Sequence, residues 1–469
     1  MGMNGQHASW IGWRAVMVAA VVAAGALVAA PLTAGATTSW TLVTSPNPGS
    51  EANSLAAVAC PSATECWAVG WQSANDQDSQ TLIEEWNGTA WSAVTSGNIN
   101  ADGGALQTNV LDAVSCASTT DCWAVGRYIV GAYALPLGEH WDGSSWTASP
   151  LAVFTGDPPP AGDYLLEGIS CPDAGDCWAV GYWEPDGDAG SMQTLIEQWG
   201  GSTWTLDSES SGGIIGYLNG ISCTSATGCY AVGAYYETSP QAMLVMSWNG
   251  TSWQAVAGIP ANEGLGMNEL SGISCVTASD CWAVGSYVPT AGGGGSFQDL
   301  FLEYAGGSWT ASAPNAADDD SPSENSNLLS GVSCTSDTSC WAAGAVTVGE
   351  VSETLVDAWD GTSWTLVANT PNGGTDENSE LLGVACASTG DCAAVGDYGF
   401  EDPTLILMYA GAAAPPATPT AAPVPTSGGG MPTPAGAPAS GLVVLAAGLA
   451  VLVVATGAAL GGRRRSRLR

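Results

Sequence analysis

Four apolar runs, separated by polar turns, recur along this chain at a nearly constant interval. The first set is Leu55 to Cys60, Cys66 to Trp71, Thr81 to Trp86 and Trp91 to Val94. Short runs rich in β-branched and aromatic residues, bounded by Gly, Asn, Asp or Ser, read as strands. The most regular part is an apolar run ending in Cys, five loop residues, and then Cys-Trp-Ala-Val-Gly or a near variant. It occurs seven times, at Cys60/Cys66, Cys116/Cys122, Cys171/Cys177, Cys223/Cys229, Cys275/Cys281, Cys334/Cys340 and Cys386/Cys392. Successive copies lie 52 to 59 residues apart, which suits one four-stranded sheet with its loops and exceeds the repeat of a helical solenoid.

The third and fourth runs are joined by Trp86-Asn87-Gly88-Thr89-Ala90-Trp91, with relatives at Trp141-Asp142-Gly143, Trp248-Asn249-Gly250 and Trp359-Asp360-Gly361. The Asn-Gly centre predicts a tight hairpin with positive φ at both residues. Six copies end in a strand opened by Trp, at Trp91, Trp146, Trp204, Trp253, Trp309 and Trp364, whereas the seventh stops at Tyr409-Ala410-Gly411. The missing strand stands at the other end, where Ser39-Trp40-Thr41-Leu42-Val43 matches Ser363-Trp364-Thr365-Leu366-Val367 residue for residue. The pattern predicts an all-β, seven-bladed β-propeller of four-stranded antiparallel blades over 37–411, its N-terminal strand closing the last blade.

Over Thr38 to Gly411 the repeats resemble secreted bacterial β-propellers that carry the Cys-Trp-Ala-Val-Gly motif. The Trp-Asn/Asp-Gly turns are more loosely similar to those of Asp-box, sialidase-like propellers and kelch-type propellers. The Asp-box sets one more residue between its Asp and Gly than this chain does. The resemblance implies a fold and no particular activity.

The flanks differ in character. Arg14, the apolar run Ala15 to Ala30 and the small residues Ala34-Gly35-Ala36 mark 1–36 as a signal peptide. Export makes disulfides the expected state of the fourteen cysteines, each pairing across its five-residue loop. That spacing and a single His in the exported part argue against zinc. A Pro/Ala/Thr-rich linker fills 412–440, followed by an apolar run over 441–461 and a basic tail over 462–469. This order predicts a single-pass transmembrane helix with the propeller extracellular and the arginines cytoplasmic. Wall anchoring is the alternative, although Met431-Pro432-Thr433-Pro434 is a poor sorting motif.

Charge narrows the partners. All 44 acidic residues fall within 37–411, where Arg127 is the only basic side chain, giving 1 − 44 = −43. Such a surface excludes nucleic acid and favours cations and basic partners. Alternating strands would place the disulfide loops and Trp-Asn-Gly turns on one uniform rim. The loops between second and third strands, and between blades, fall on a second, variable rim that carries more than half of the carboxylates. Variable loops on a repeated scaffold are where binding concentrates. The candidate ligand-binding residues are therefore Asp76, Asp78, Asp186, Asp188, Asp318, Asp319, Asp320, Asp376 and Glu377, with the non-recurring Trp71 and Trp183 for stacking. Calcium is the cofactor such loops would take, at Asp186 and Asp188 or Asp318 and Asp320.

The inventory limits catalysis. One Arg cannot form the arginine cluster that grips a sialic acid. His140, inside an outer strand, reads as structural, and every exported Cys has a partner. The recurring Trp67, Trp123, Trp178, Trp282 and Trp341 read as packing between blades. Inner strands repeat Leu-x-Gly/Ala-Val/Ile-Ser/Ala-Cys, small enough for a crowded channel, with Ala56, Asp112, Glu167, Asn219, Ser271, Ser330 and Leu382 at the variable position. Identical binding sites around the ring are thereby excluded. The function expected is a membrane-anchored extracellular binding or recognition module for a cell-surface glycan or protein. The alternatives are a carboxylate-dependent polysaccharide hydrolase or lyase, and a structural envelope protein.

Overall fold

The computed structural model describes residues 39–410 except 76–77, 101–107, 154–161, 186–191, 208–213, 236–240, 261–266, 289–295, 313–324, 375–377 and 400–402. The chain divides into two units, Met1–Ala414 and Pro415–Arg469, and the described residues belong to the first. The expected signal peptide, linker, membrane helix and tail lie outside them. Among the described residues no helix is long and apolar enough to cross a membrane.

Every described element is a β-strand. The chain opens with β1 (Trp40–Val43) and then builds blade 1 from β2 (Ala52–Ser62), β3 (Glu65–Asn75), β4 (Asp78–Trp86) and β5 (Trp91–Val94). Blade 2 is β6 (Asn109–Ser118), β7 (Asp121–Val130), β8 (Tyr133–Trp141) and β9 (Trp146–Pro150). Blade 3 is β10 (Gly162–Asp173), β11 (Asp176–Pro185), β12 (Gln193–Trp199) and β13 (Trp204–Leu206). Blade 4 is β14 (Gly216–Ser225), β15 (Gly228–Tyr235), β16 (Ala242–Trp248) and β17 (Trp253–Ala255). Blade 5 is β18 (Asn268–Thr277), β19 (Asp280–Tyr287), β20 (Gln298–Ala305) and β21 (Ser308–Ser312). Blade 6 is β22 (Asn325–Ser336), β23 (Ser339–Val348), β24 (Val351–Trp359) and β25 (Trp364–Leu366). Blade 7 is β26 (Ser379–Ser388), β27 (Asp391–Tyr398) and β28 (Thr404–Ala410), completed by β1.

First strands of neighbouring blades pack against one another in a closed circuit, β2 to β6 and onward to β26, which returns to β2. The result is a seven-bladed propeller of four-stranded antiparallel sheets. Closure occurs where the sequence match places it, with Trp40 opposite Tyr409 and Val43 opposite Ile406.

All seven Cys pairs are closed as expected: Cys60–Cys66, Cys116–Cys122, Cys171–Cys177, Cys223–Cys229, Cys275–Cys281, Cys334–Cys340 and Cys386–Cys392. The second cysteine of each pair is buried. Cys122 and Cys177 are fully buried, Cys229, Cys281, Cys340 and Cys392 are 1% exposed, and Cys66 is 3% exposed. The reason is register. Each second cysteine opens the second strand of its blade opposite the outer aromatic of the third, as Cys122 faces Trp141, Cys177 Trp199, Cys229 Trp248, Cys340 Trp359 and Cys392 Tyr409. Each therefore packs into the hydrophobic core of its blade. The second cysteines thus sit in the core, whereas of the first cysteines only Cys171 is buried and the other six are half-buried.

Each inner strand carries a bulge just after its Leu, for instance between Leu166 and Gly168 in β10. A bulge pushes the backbone toward its neighbour, and the Gly of Cys-Trp-Ala-Val-Gly receives it. A Cβ on Gly181 would lie 1.9 Å from the Leu165 carbonyl oxygen, so no side chain fits there. Near the axis, a Cβ on Gly220 would sit 3.2 Å from the Gly272 Cα of the next blade. The small residues are thus contact points between adjacent inner strands.

The recurring aromatics fill the seams. Trp178 of blade 3 meets Trp248 at 4.6 Å and Trp253 at 5.3 Å, both in blade 4. The same three-ring cluster joins Trp67 to Trp141 and Trp146, Trp123 to Trp199 and Trp204, Tyr230 to Tyr304 and Trp309, Trp282 to Trp359 and Trp364, and Trp341 to Tyr409 and Trp40. At the remaining seam, blade 7 to blade 1, Ala393 stands in place of Trp. His140 stacks on Trp123 at 4.4 Å, and its Nε2 lies 3.1 Å from Asp121 Oδ1.

The Trp-Asn-Gly turns differ from expectation in one respect. Gly88, Gly143, Gly250 and Gly361 take positive φ, but the preceding Asn or Asp does not. Its contribution comes from the side chain, where Asn87 Oδ1 accepts from Thr89 N, Thr89 Oγ1 and Ala90 N at 2.7 to 3.1 Å. Asp142 does the same for Ser144 and Ser145. A carboxylate and an amide oxygen are interchangeable acceptors here, which explains why the sequence alternates Asn and Asp.

Candidate functional site

The described residues concentrate polar chemistry at the variable-rim end of the central channel, in blades 2 to 5. The bulge supplies it. Each bulge inserts one extra residue into the strand bordering the channel, and these extra residues are Asp112, Glu167, Asn219, Ser271 and Ser330 in blades 2 to 6. In blades 1 and 7 the equivalents are the apolar Ala56 and Leu382. One arc of the ring is therefore polar and the opposite arc is not.

Arg127, one residue beyond the motif Gly in β7, reaches back to Asp112 with Nη1 to Oδ2 at 2.7 Å. Its counterpart in blade 3 is Tyr182, whose ring lies 6.3 Å from Tyr217 of blade 4 in an edge-on arrangement. Tyr217 Oη accepts from Gln241 Nε2 at 2.7 Å. Asn219 Nδ2 donates to Glu269 Oε1 at 3.0 Å and to the Leu270 carbonyl at 2.9 Å, tying blade 4 to blade 5. Across the ring, Ser54 Oγ donates to Asp397 Oδ2 at 2.6 Å, joining blade 1 to blade 7.

Electrostatics follow from crowding carboxylates in a partly dry channel. Burial pushes the Glu167 carboxyl up to about 7, the Asp112 charge adds to this, and Arg127 opposes it. Burial likewise raises Asp112, with Arg127 pulling it back. Tyr182 is pushed up to about 12 by burial and by Glu167 and Glu184. The cluster thus holds a carboxyl that exchanges its proton near neutrality beside a fixed ion pair.

The residues expected from sequence divide into two groups. Asp76, Asp186, Asp188, Asp318, Asp319, Asp320, Asp376 and Glu377 lie outside the described residues, and with them every expected calcium ligand. Asp78 opens β4 opposite Asn75 on the variable rim. Trp71 sits opposite Ser54 near the channel. Trp183 faces Tyr164 across the strands, the rings 5.9 Å apart and nearly parallel. Among the described residues no group of three or more His, Cys, Asp or Glu is placed to hold a metal ion. Tyr182, Tyr217, Gln241 and Glu269 were not singled out from sequence. The signal for Tyr182 was its place after the motif Gly, where successive blades carry Trp71, Arg127 and Tyr182.

A second set of carboxylates is fully buried on third strands, two residues before the outer aromatic. Glu84 accepts from Ser45 Oγ at 2.9 Å, Glu139 from Gly97 N at 2.9 Å, and Glu197 from Ala152 N at 3.1 Å. Each donor lies on the connection from the preceding blade, so these side chains anchor connections rather than face a ligand. Burial raises Glu84 and Glu139 to about 7 and Glu197 to about 8. Blade 5 has Leu302 at this position, and an apolar cleft of about 580 Å³ lined by Tyr235, Met243, Val256 and Ile259 opens beside the blade 4 to blade 5 connection.

No protein-family model and no curated protein matches the chain. Among solved structures it is similar to a GH74 xyloglucanase from Xanthomonas campestris, with 12% identity, a TM-score of 0.49, and coverage of 78% of this chain and 56% of that one. It is similar to a Hadza microbial sialidase at 9% identity and a TM-score of 0.42, covering 71% of this chain and 73% of that one. A fucose-specific lectin from Aleuria aurantia shares 12% identity with a TM-score of 0.36, covering 65% and 97%. The chain spans little more than half the length of the xyloglucanase, at 56%.

Proposed function

We propose that this chain is an extracellular recognition module, held to the membrane by its apolar C-terminal run, that binds a glycan across the channel mouth of blades 2 to 5. A sugar offers hydroxyls at its edge and an apolar C–H face, and it is gripped by carboxylates, amides and aromatic rings together. The mouth supplies Asp112, Glu167 and Glu269 as acceptors, Asn219 and Gln241 as amides, and Tyr182 and Tyr217 as rings. The observation that carries the reading is this change of chemistry from blade to blade at one bulged position, on a scaffold that is otherwise repetitive. An extracellular location is supported by seven closed disulfides, which persist in oxidising compartments.

Glu167 favours a second reading. A carboxyl that keeps its proton to about pH 7 beside Asp112 has the character of a general acid in polysaccharide hydrolysis. One experiment separates the two. The full-length protein, purified in detergent, is screened against neutral, acidic and amino-sugar glycans with and without calcium, while reducing ends are assayed. Saturable binding without turnover, weakened at least tenfold by Tyr182→Ala and by Glu167→Gln, is the expected result. Turnover abolished by Glu167→Gln establishes the hydrolase instead, and binding to no glycan overturns both.

A further inference from the structure

Hydrogen-bond donors at the channel mouth are largely occupied by the protein itself. Asn219 Nδ2 donates to Glu269 Oε1 at 3.0 Å and to the Leu270 carbonyl at 2.9 Å. A side-chain amide has two N–H donors, so Asn219 has none left for a ligand. Gln241 Nε2 gives one of its own to Tyr217 Oη at 2.7 Å. Arg127 keeps further N–H groups, but its Nη1 is turned to Asp112 Oδ2 at 2.7 Å and its charge is matched there. Acceptors are left over. Glu167 meets Asp112 and Arg127 through charge, without a hydrogen bond to either. Among the described residues the second oxygens of Asp112 and Glu269 are also open.

These groups are neighbours because the bulged inner strands touch. A Cβ on Gly168 would lie 3.0 Å from the Asn219 carbonyl oxygen, and one on Gly220 would lie 3.1 Å from the Ser271 carbonyl oxygen. Glu167, Asn219 and Ser271 therefore follow one another around the channel. On its other side Glu167 is close enough to Asp112 and Arg127 for both charges to act on it.

Two carboxylates and one guanidinium leave one negative charge unmatched at this spot. The protein answers with a proton: burial, and then Asp112, push the Glu167 carboxyl up to about 7 against the pull of Arg127. The side chains around it are Asp112 and Arg127 from blade 2, Tyr182 from its own blade and Asn219 from blade 4, with Arg127 the only cation. A ligand cation set in the proton's place keeps the cluster balanced with Glu167 ionised, because an opposite charge close by favours the charged form.

Resting on the glycan reading above, we infer that the sugar recognised at this mouth carries a free primary amine, its ammonium seated between Glu167 and Asp112 and its ring face on Tyr182. An ammonium brings three donors and no acceptor, which matches a mouth short of donors and rich in acceptors. A hydroxyl in the same place leaves the charge unmatched. N-acetylation removes the charge and adds a carbonyl that needs a donor. A uronate meets Asp112 and Glu167 with Arg127 alone to answer it. On binding, Glu167 releases its proton to solvent, so the cluster is neutral before and after.

The test titrates the full-length protein in detergent, by calorimetry, with tetramers of glucosamine, N-acetylglucosamine, glucose and glucuronate in one linkage. The solution is held at about pH 6, below the ordinary range of an amine and below that of Glu167. The glucosamine tetramer is expected to bind at least tenfold more tightly than each of the others. Its heat should change with the ionisation enthalpy of the buffer, as proton release requires, and Glu167→Gln should remove both the preference and the proton release. Equal binding of the glucose tetramer, glucosamine binding without proton release, or a preference that survives Glu167→Gln overturns the inference and leaves the glycan reading in place. Binding of none of the tetramers or of any other glycan overturns both.

Discussion

The Ser170 hydroxyl accepts a hydrogen bond of 2.9 Å from the backbone N–H of Cys223, in the next blade. Ser115, Ser222, Ser274 and Ser333 make the same bond to Cys171, Cys275, Cys334 and Cys386 at 3.0 Å. A chain of side chain to backbone bonds therefore runs around the channel from blade 2 to blade 7. In blades 1 and 7 the serine is replaced by Ala59 and Ala385, so neither seam of blade 1 has this link. Ser170→Ala is expected to lower stability by about 1 kcal/mol, the usual net value of one such bond. Ala59→Ser should raise it by a similar or smaller amount, both read by chemical denaturation.

The buried anchors make stability fall as pH rises. Glu197 binds its proton more tightly folded, at about 8, than its ordinary 4.5. Its favourable contribution is therefore complete below about pH 4.5 and is lost as pH climbs through 8. Glu84 and Glu139, at about 7, act in the same direction. Glu197→Gln keeps an acceptor for the Ala152 N–H and removes the charge. Denaturation across pH 4 to 9 should show this variant gaining on the parent at the alkaline end. The gain is at most about 5 kcal/mol, since each tenfold change in proton affinity is worth about 1.4 kcal/mol. A constant difference across that range refutes the assignment.

Trp178 is 1% exposed at the blade 3 to blade 4 seam, so Trp178→Ala leaves a cavity and should cost about 3 to 5 kcal/mol. Trp71→Ala, at a half-buried position, should cost less than half as much. Thermal unfolding of the two variants side by side checks the contrast.

Opening the Cys275–Cys281 bridge by a double Cys→Ala change frees only a small loop. The chain-entropy model gives a loss of about 2 kcal/mol. Reducing all seven bridges should cost several times that amount, measured as the shift in denaturation midpoint with and without reductant.

Seven units, their closure and their cysteine partners were legible because each is repeated or matched residue for residue, as Ser39 to Val43 matches Ser363 to Val367. The seam role of Trp123 was legible for the same reason. What repetition conceals is why a residue recurs. The serine in Ile-Ser-Cys reads as merely small, and its bond to the next blade appears only when seven inner strands meet. Cysteine spacing likewise names the partner of Cys177 without showing that the sulfur is packed beneath Trp199, since burial depends on the third strand. The bulge is equally hidden, because one extra residue against a partner strand leaves no mark on a single chain. Without it Glu167 and Asp112 look like ordinary alternating positions, and the polar arc at the channel mouth cannot be drawn.

Trp40 and Tyr409 stand opposite one another although 369 positions separate them in the chain. During synthesis the first strand must wait, exposed and unpaired, until the last repeat has emerged. A product cut short anywhere inside the array lacks β28, so the first strand has no partner and the ring cannot close.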